Sequence, residues 1–176
     1  SPELIKRLLL LLAHQIGSEV SVNELANSLN LSRQTVERYL DILEQTYVIF
    51  RLRSYSTNPR KEISKSQKIY FFDTGVRNAL LKEFSLNESR LDIGHLWENW
   101  VIAEFMKSNI LNDQKQDLYF WRSRSLSEVD LIIKDNAVLS AYEIKWKKIK
   151  TTNSAFEKQY GVKVKIINNQ DPLFLL

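Results

Sequence analysis

The sequence lacks the residues that build several common kinds of site. None of its 176 residues is cysteine, which excludes disulfide bonds and cysteine-ligated zinc and suits a reducing compartment such as the cytoplasm. Its four glycines are scattered, so no glycine-rich phosphate-binding loop is present, and we expect no ATP binding by this chain itself. The longest apolar run, residues 8–13, is far too short to cross a bilayer, so we expect no membrane partner.

Methionine is nearly absent, and the net charge is small. The one methionine is Met106 and the chain starts with Ser1, so we expect a fragment of a longer protein. The formal net charge of +4 is compatible with nucleic acid binding, but the excess is mild. Charge alone therefore does not identify a partner.

Two well-capped helices are predicted early in the chain, after an amphipathic helix over residues 4–16. Ser21 with Glu24 three residues later has the form of a capping box, which predicts a helix ending at Leu29. Ser32 is a second good N-cap, for a helix over residues 33–45. Two capped helices joined by a short turn follow the helix-turn-helix plan.

A β-hairpin is predicted after these helices, from β-rich runs at residues 48–54 and 68–72. A helix-turn-helix followed by a basic hairpin describes a winged helix-turn-helix domain. The candidate nucleic-acid contacts lie on the second capped helix and in the hairpin loop: Arg33, Gln34, Thr35, Arg38, Arg60, Lys61 and Lys65. Glu37 and Asp41 dilute the positive face of that helix, so a purely structural, protein-connecting role is the open alternative.

The domain boundary is predicted in the polar stretch that begins at residue 83. It divides the chain into residues 1–82 and 83–176. The second part is expected to contain a helix, three strands, a helix and a strand, over residues 94–109, 118–122, 129–133, 138–146, 152–160 and 162–167. The predicted fold class is therefore mixed α/β (α+β).

Charged residues stand on two of these strands where a core strand would carry apolar ones. Side chains alternate along a strand, so Val129, Leu131 and Ile133 are expected on one face, and Asp130 with Ile132 on the other. By the same rule Glu143 and Lys145 share a face of the next strand.

If those two strands are neighbours, Asp130, Glu143 and Lys145 converge. Buried charges are costly unless they are paired or bind a metal. Two nearby carboxylates form a hard oxygen site suited to Mg²⁺, and a lysine beside them can orient a water, as phosphodiester hydrolysis requires. The alternative is a plain salt bridge to Lys145 at solvent-exposed strand ends.

A family resemblance covers nearly the whole chain. The stretches KIYFFDTGVRNALL, GHLWENWVIAEF, LYFWRSRSLSEVDLII and YEIKWKK, with their order of elements, resemble the PD-(D/E)xK nuclease superfamily, which has the restriction-endonuclease-like αβββαβ fold. More narrowly, the chain resembles the C-terminal region of bacterial and archaeal AAA-type ATPases. In these proteins a winged helix and a nuclease-like domain of uncharacterised function follow the ATPase module.

The resemblance implies roles for four residues. Asp130 and Glu143 would hold Mg²⁺ or Mn²⁺, and Lys145 would position the attacking water. Glu98 would add a carboxylate through the water shell of the metal. Val129 stands where the superfamily name has proline, and ATP would enter only through the missing upstream module.

Two functions therefore remain open at this point. The first is a metal-dependent DNA endonuclease to which the winged helix delivers the duplex, and cutting both strands would favour a homo-oligomer. The second is a catalytically inactive module that binds nucleic acid or protein and regulates the upstream ATPase. Trp146 with the lysines of 145–150, and Arg122 with Arg124, are further candidate phosphate contacts.

Overall fold

Six helices and one seven-stranded mixed sheet make up the part of the chain that the computed structural model describes, residues 1–57, 67–85, 90–123, 127–147 and 154–170. The helices are α1 (Pro2–His14), α2 (Val22–Leu29), α3 (Arg33–Gln45), α4 (Thr74–Leu81), α5 (Ile93–Leu111) and α6 (Ser154–Tyr160). The strands are β1 (Glu19–Val20), β2 (Ile49–Ser54), β3 (Gln67–Phe71), β4 (Asp117–Arg122), β5 (Glu128–Asp135), β6 (Val138–Ile144) and β7 (Val164–Ile167). The predicted mixed α/β class is confirmed. Within these ranges no helix has both the length and the apolar character needed to cross a bilayer.

The two predicted N-caps begin α2 and α3. The Ser21 hydroxyl accepts a hydrogen bond of 3.3 Å from the Glu24 N–H, and the Ser32 hydroxyl accepts one of 3.1 Å from the Thr35 N–H. Both helices end where the sequence predicts, and α1 starts and ends two residues earlier than expected. Their apolar faces pack into one core, which includes Leu8, Leu12, Leu25, Val36 and Leu40.

The sheet runs through both halves of the chain in the order β1-β3-β2-β4-β5-β6-β7. β2 and β3 are antiparallel, as the predicted hairpin requires, and β1 adds to the far side of β3. β2 also pairs in parallel with β4, Arg53 opposite Tyr119 and Ser54 opposite Phe120. The hydrogen-bonded sheet therefore crosses the predicted boundary at residues 82 and 83, and the division into two domains stays a prediction.

The second half has the predicted order of a helix, three strands, a helix and a strand. α5 packs with Phe120, Leu131 and Ile144 in one buried cluster. Phe156 of α6 packs with Ile132 in another. Because Leu131 and Ile132 are neighbours in one strand, the sheet has helices on both of its faces.

The side chains of β5 do not alternate strictly between the two faces of the sheet. Val129 packs with Ile132 and not with Leu131 and Ile133, so the prediction that placed it with the latter pair is wrong. The register against β4 explains this packing, because Tyr119 pairs with Ile132 whereas Trp121 pairs with Val129. The extra residue in β5 is a β-bulge, which reverses the inward and outward positions beyond it.

Candidate functional site

Three of the predicted site residues meet where β5 and β6 separate. The last regular pair of these strands is Leu131 with Tyr142. Beyond it, Asp130 Oδ2 accepts a hydrogen bond of 2.7 Å from the Ile144 N–H. Lys145 Nζ lies 3.4 Å from the same Asp130 oxygen and 3.2 Å from Glu143 Oε1. The structure therefore brings Asp130, Glu143 and Lys145 together.

Asp130 is buried and carries a shifted pKa. Burial, together with the charge of Glu98, raises the pKa of Asp130 to about 7, against the opposing effects of Lys145, the Ile144 N–H and Lys68. Burial also lowers the pKa of Lys145, but the carboxylates of Asp130 and Glu143 outweigh it, so the net shift is upward. Lys145 is therefore an ammonium group at neutral pH.

Glu98 approaches this group from α5. Its side chain is buried, and its Oε1 atom accepts hydrogen bonds from the Tyr70 hydroxyl at 2.6 Å and from Lys68 Nζ at 3.3 Å. Burial and the Glu98 charge raise the pKa of Tyr70 well above its ordinary value, so the hydroxyl stays a neutral donor. The fourth predicted residue thus lies beside Asp130 and is held by strand β3 of the first half.

Lys68 is a member of the site that the sequence interpretation missed. Its side chain is 1% exposed, and its ammonium group contacts the carboxylates of Glu98 and Glu128 and lies 5.4 Å from the Phe120 ring. Burial lowers the pKa of Lys68, but Glu98 and Glu128 outweigh it and the net shift is upward. Lys68 directly precedes the apolar residues IYFF on a predicted strand, and a charge on a strand is the same signal that singled out Asp130.

Lys145 forms salt bridges with Asp130 and Glu143, but these two carboxylates are not exposed to solvent. The side chain of Asp130 is 7% exposed and that of Glu143 is 13% exposed. The solvent-exposed version of the salt-bridge alternative therefore does not describe this site. Asp130 and Glu143 are therefore mostly buried carboxylates that share one lysine.

The predicted nucleic-acid residues of α3 lie at the start of that helix. Arg33, Gln34 and Arg38 are exposed, whereas the Thr35 hydroxyl lies 2.9 Å from the Ser32 hydroxyl and takes part in the helix cap. Arg33 lies 3.9 Å from Glu37. The predicted hairpin-loop residues Arg60, Lys61 and Lys65, and also Arg124, fall outside the residues that the structure describes.

Three acidic residues of α3 share one arginine of the sheet. Arg51 of β2 contacts Glu37, Asp41 and Glu44, and is the partner that the sequence interpretation did not anticipate. Arg51 therefore offsets part of the negative charge that the sequence places on α3.

Comparisons with known proteins match two family models to different parts of the chain. Residues 1–87 match the model of a domain of unknown function, DUF8612, and residues 93–171 match that of a second, DUF4143. DUF4143 is a domain found in AAA-ATPase-associated proteins. No solved structure matches the chain.

The similar curated proteins are uncharacterised. One from Mycobacterium tuberculosis is 32% identical over 143 residues, which is 80% of this chain and 32% of that protein. One from Methanocaldococcus jannaschii is 30% identical over 184 residues, which is 97% of this chain and 39% of that protein. The chain thus spans between 32% and 39% of the length of these two relatives.

Proposed function

We propose that this chain carries a metal-dependent phosphodiesterase site that acts on DNA. The observation that carries the proposal is the convergence of Asp130, Glu143 and Lys145 in the mostly buried opening between β5 and β6. Asp130 and Glu143 would hold Mg²⁺ or Mn²⁺. Lys145 would position the attacking water, and Glu98 would act through the water shell of the metal.

The donor atoms fit such a cation. Asp130 uses Oδ2 for the Ile144 N–H and Lys145, and its Oδ1 atom accepts no hydrogen bond from the residues that the structure describes. In the described part of the chain, no three acidic or histidine side chains lie close enough together to hold a metal ion. Mg²⁺ suits this arrangement because it needs few protein ligands and retains most of its waters.

The cation and the side chains around it would then have different roles. When bound, the divalent cation supplies positive charge against the developing phosphate charge and makes water a better nucleophile. Lys145 is an ammonium group, so it orients a water or a phosphate oxygen by donating hydrogen bonds and does not act as a base. Glu98 would accept a hydrogen bond from a water close to Asp130.

The first half would deliver the DNA. α2, the turn and α3, followed by the antiparallel β2 and β3, support a winged-helix arrangement in which the start of α3 faces the major groove. The exposed Arg33, Gln34 and Arg38 support contact with DNA at that point. The association of DUF4143 with AAA-type ATPases supports an upstream ATPase partner, to which ATP binding would belong.

One observation favours a second candidate, a non-catalytic module that regulates such an ATPase. Each of the four carboxylates contacts a lysine: Asp130 and Glu143 contact Lys145, and Glu98 and Glu128 contact Lys68. The two lysines therefore balance part of the negative charge of the carboxylates without a metal ion, as expected of a scaffold that binds nucleic acid or protein.

Calorimetric titration with Mn²⁺ and Mg²⁺, followed by incubation with plasmid and single-stranded DNA, separates the two. Wild type should bind metal and cut DNA, and Glu143→Gln should lose both. Lys145→Met removes a positive charge beside both proposed ligands, so it should bind metal at least as tightly as wild type and lose cleavage. Lys165→Met, at an exposed position of strand β7, is the matched lysine control and should behave as wild type. DNA binding without metal uptake or cleavage would instead support the regulatory module.

A further inference from the structure

Two side chains of β3 hold the same oxygen of Glu98. The Tyr70 hydroxyl and the Lys68 ammonium both donate to Oε1, at 2.6 and 3.3 Å. Lys68 and Tyr70 are two residues apart on one strand and therefore share a face of it. Oε2 of Glu98 accepts no hydrogen bond from the described parts of the chain, so both donors hold the carboxylate through its other oxygen.

Lys68 is also a fixed positive charge within the site. Its side chain is 1% exposed, and its positive charge acts on Asp130 as well as on Glu98 and Glu128. Charges in buried surroundings interact more strongly than charges in water, and salt screens them less. The ammonium group must therefore repel any cation that binds at Asp130.

We propose that Lys68 and Tyr70 are positioning residues that the first half of the chain supplies to the site. Lys68 sets the charge against which a divalent cation binds, and Tyr70 sets the direction of the Glu98 carboxylate. This inference rests on the proposed function, because it assumes that the cation site lies at Asp130 and Glu143.

The two residues should act on metal affinity in opposite directions. Replacing Lys68 removes a repulsive charge, so Mn²⁺ should bind about tenfold more tightly, which corresponds to about 1.4 kcal/mol. Tyr70→Phe changes no charge but releases Glu98, so binding should weaken by a few-fold. A purely structural role would weaken binding in both variants, because each would only loosen the fold.

The test measures the Mn²⁺ dissociation constant by calorimetry and by electron paramagnetic resonance of free Mn²⁺. The variants are Lys68→Met, Lys68→Arg and Tyr70→Phe, each checked for folding by thermal melting. Lys68→Arg keeps the charge and should stay close to wild type. Arg51→Met is the matched control, since it removes a mostly buried cation of the neighbouring strand whose partners, Glu37, Asp41 and Glu44, are not in the site.

Glu128→Gln gives an independent reading if Lys68→Met does not fold. The Glu128 side chain is 27% exposed and contacts Lys68, so its neutralisation should leave more of the lysine charge unopposed. Mn²⁺ binding should then weaken. An unchanged dissociation constant in folded Glu128→Gln or Lys68→Met would overturn the inference.

The possible outcomes distinguish a failure of this inference from a failure of the proposed function. Metal binding by wild type with no effect of Lys68→Met overturns the role of Lys68 and leaves the metal site. No binding by wild type, but binding by Lys68→Met, overturns the proposed function and supports the charge role of Lys68. No binding by any variant overturns both.

Discussion

The carboxylate of Asp130 accepts a 2.7 Å hydrogen bond from the backbone N–H of Ile144, at the point where β5 and β6 stop pairing. A side chain thus satisfies a backbone donor of the neighbouring strand. Asp130 has a structural task in addition to any task in binding a cation. Substitutions at this position must therefore be chosen to separate the two.

Asp130→Asn should abolish Mn²⁺ binding and leave the fold nearly intact. The asparagine oxygen can still accept the hydrogen bond from Ile144, but it carries no charge. Asp130→Ala should lower the free energy of unfolding by about 1–3 kcal/mol, because it leaves the buried N–H without a partner. Calorimetry and urea unfolding measure the two effects. Equal destabilisation by both substitutions would contradict the structural task assigned to the hydrogen bond.

Asn99→Leu should destabilise the whole chain. The Asn99 side chain is fully buried and makes two hydrogen bonds to the backbone of Phe71 in β3, of 2.9 and 2.7 Å. Leucine would leave both backbone groups without a partner, at about 1–3 kcal/mol for each.

Asn109→Leu is the matched control for that substitution. Asn109 makes the same pair of hydrogen bonds to the backbone of Gln116, but in a partly exposed place where water can replace them. Urea unfolding should give a clearly smaller loss of stability for this variant. A loss as large as that of Asn99→Leu would show that the contact with β3 has no special weight.

Asp92 should make stability depend on acid pH. Hydrogen bonds from Arg90, with those from Arg77, hold the pKa of Asp92 well below its ordinary value. An acid whose pKa is lower in the folded state stabilises the fold above its unfolded pKa, about 3.9, and this contribution is lost as the pH falls further. Asp92→Asn should therefore lower the melting temperature at pH 7, and its difference from wild type should narrow below about pH 4.

Asp117→Asn serves as the control for the acid effect, because Asp117 is exposed. Its melting temperature should follow that of wild type from pH 7 to pH 3. If the Asp92→Asn difference stayed constant over this range, the charge of Asp92 would not be the source of the stability.

Arg33→Ala and Arg38→Ala should each weaken binding of duplex DNA. Both arginines are exposed at the start of α3. Each phosphate contact that is lost should also reduce the slope of log affinity against log salt by about 0.9. Fluorescence anisotropy at several salt concentrations measures both quantities. Lys165→Ala removes an exposed lysine elsewhere, and an equal loss in that variant would mean that α3 is not the DNA-binding surface.

Local signals in the sequence predicted most of the elements. Ser21 and Ser32 are followed by helices because a side-chain cap needs only neighbouring residues to form. Asp130, Glu143 and Lys145 could be brought together because two neighbouring strands carry them. The bulge in β5 could not be predicted, because it depends on how β5 pairs with β4.

The role of Lys68 could not be predicted for a similar reason. Its partners Glu98 and Glu128 are 30 and 60 residues away in the chain, and only the assembled sheet brings them together. Arg51 is comparable, since its acidic partners lie on a helix that precedes it. In both cases the charge was visible in the sequence, but the residue that balances it was not.

The parallel pairing of β2 with β4 bears on how this chain can be divided. Cleaving between residues 82 and 83 would expose the edges of both strands, Arg53 and Ser54 on one fragment and Tyr119 and Phe120 on the other. Unpaired edges of this kind promote aggregation. Each fragment would also lose half of the lysine–glutamate contact between β3 and α5. Expressed separately, the two fragments should be prone to precipitate, and mixing them should restore solubility by rejoining the sheet.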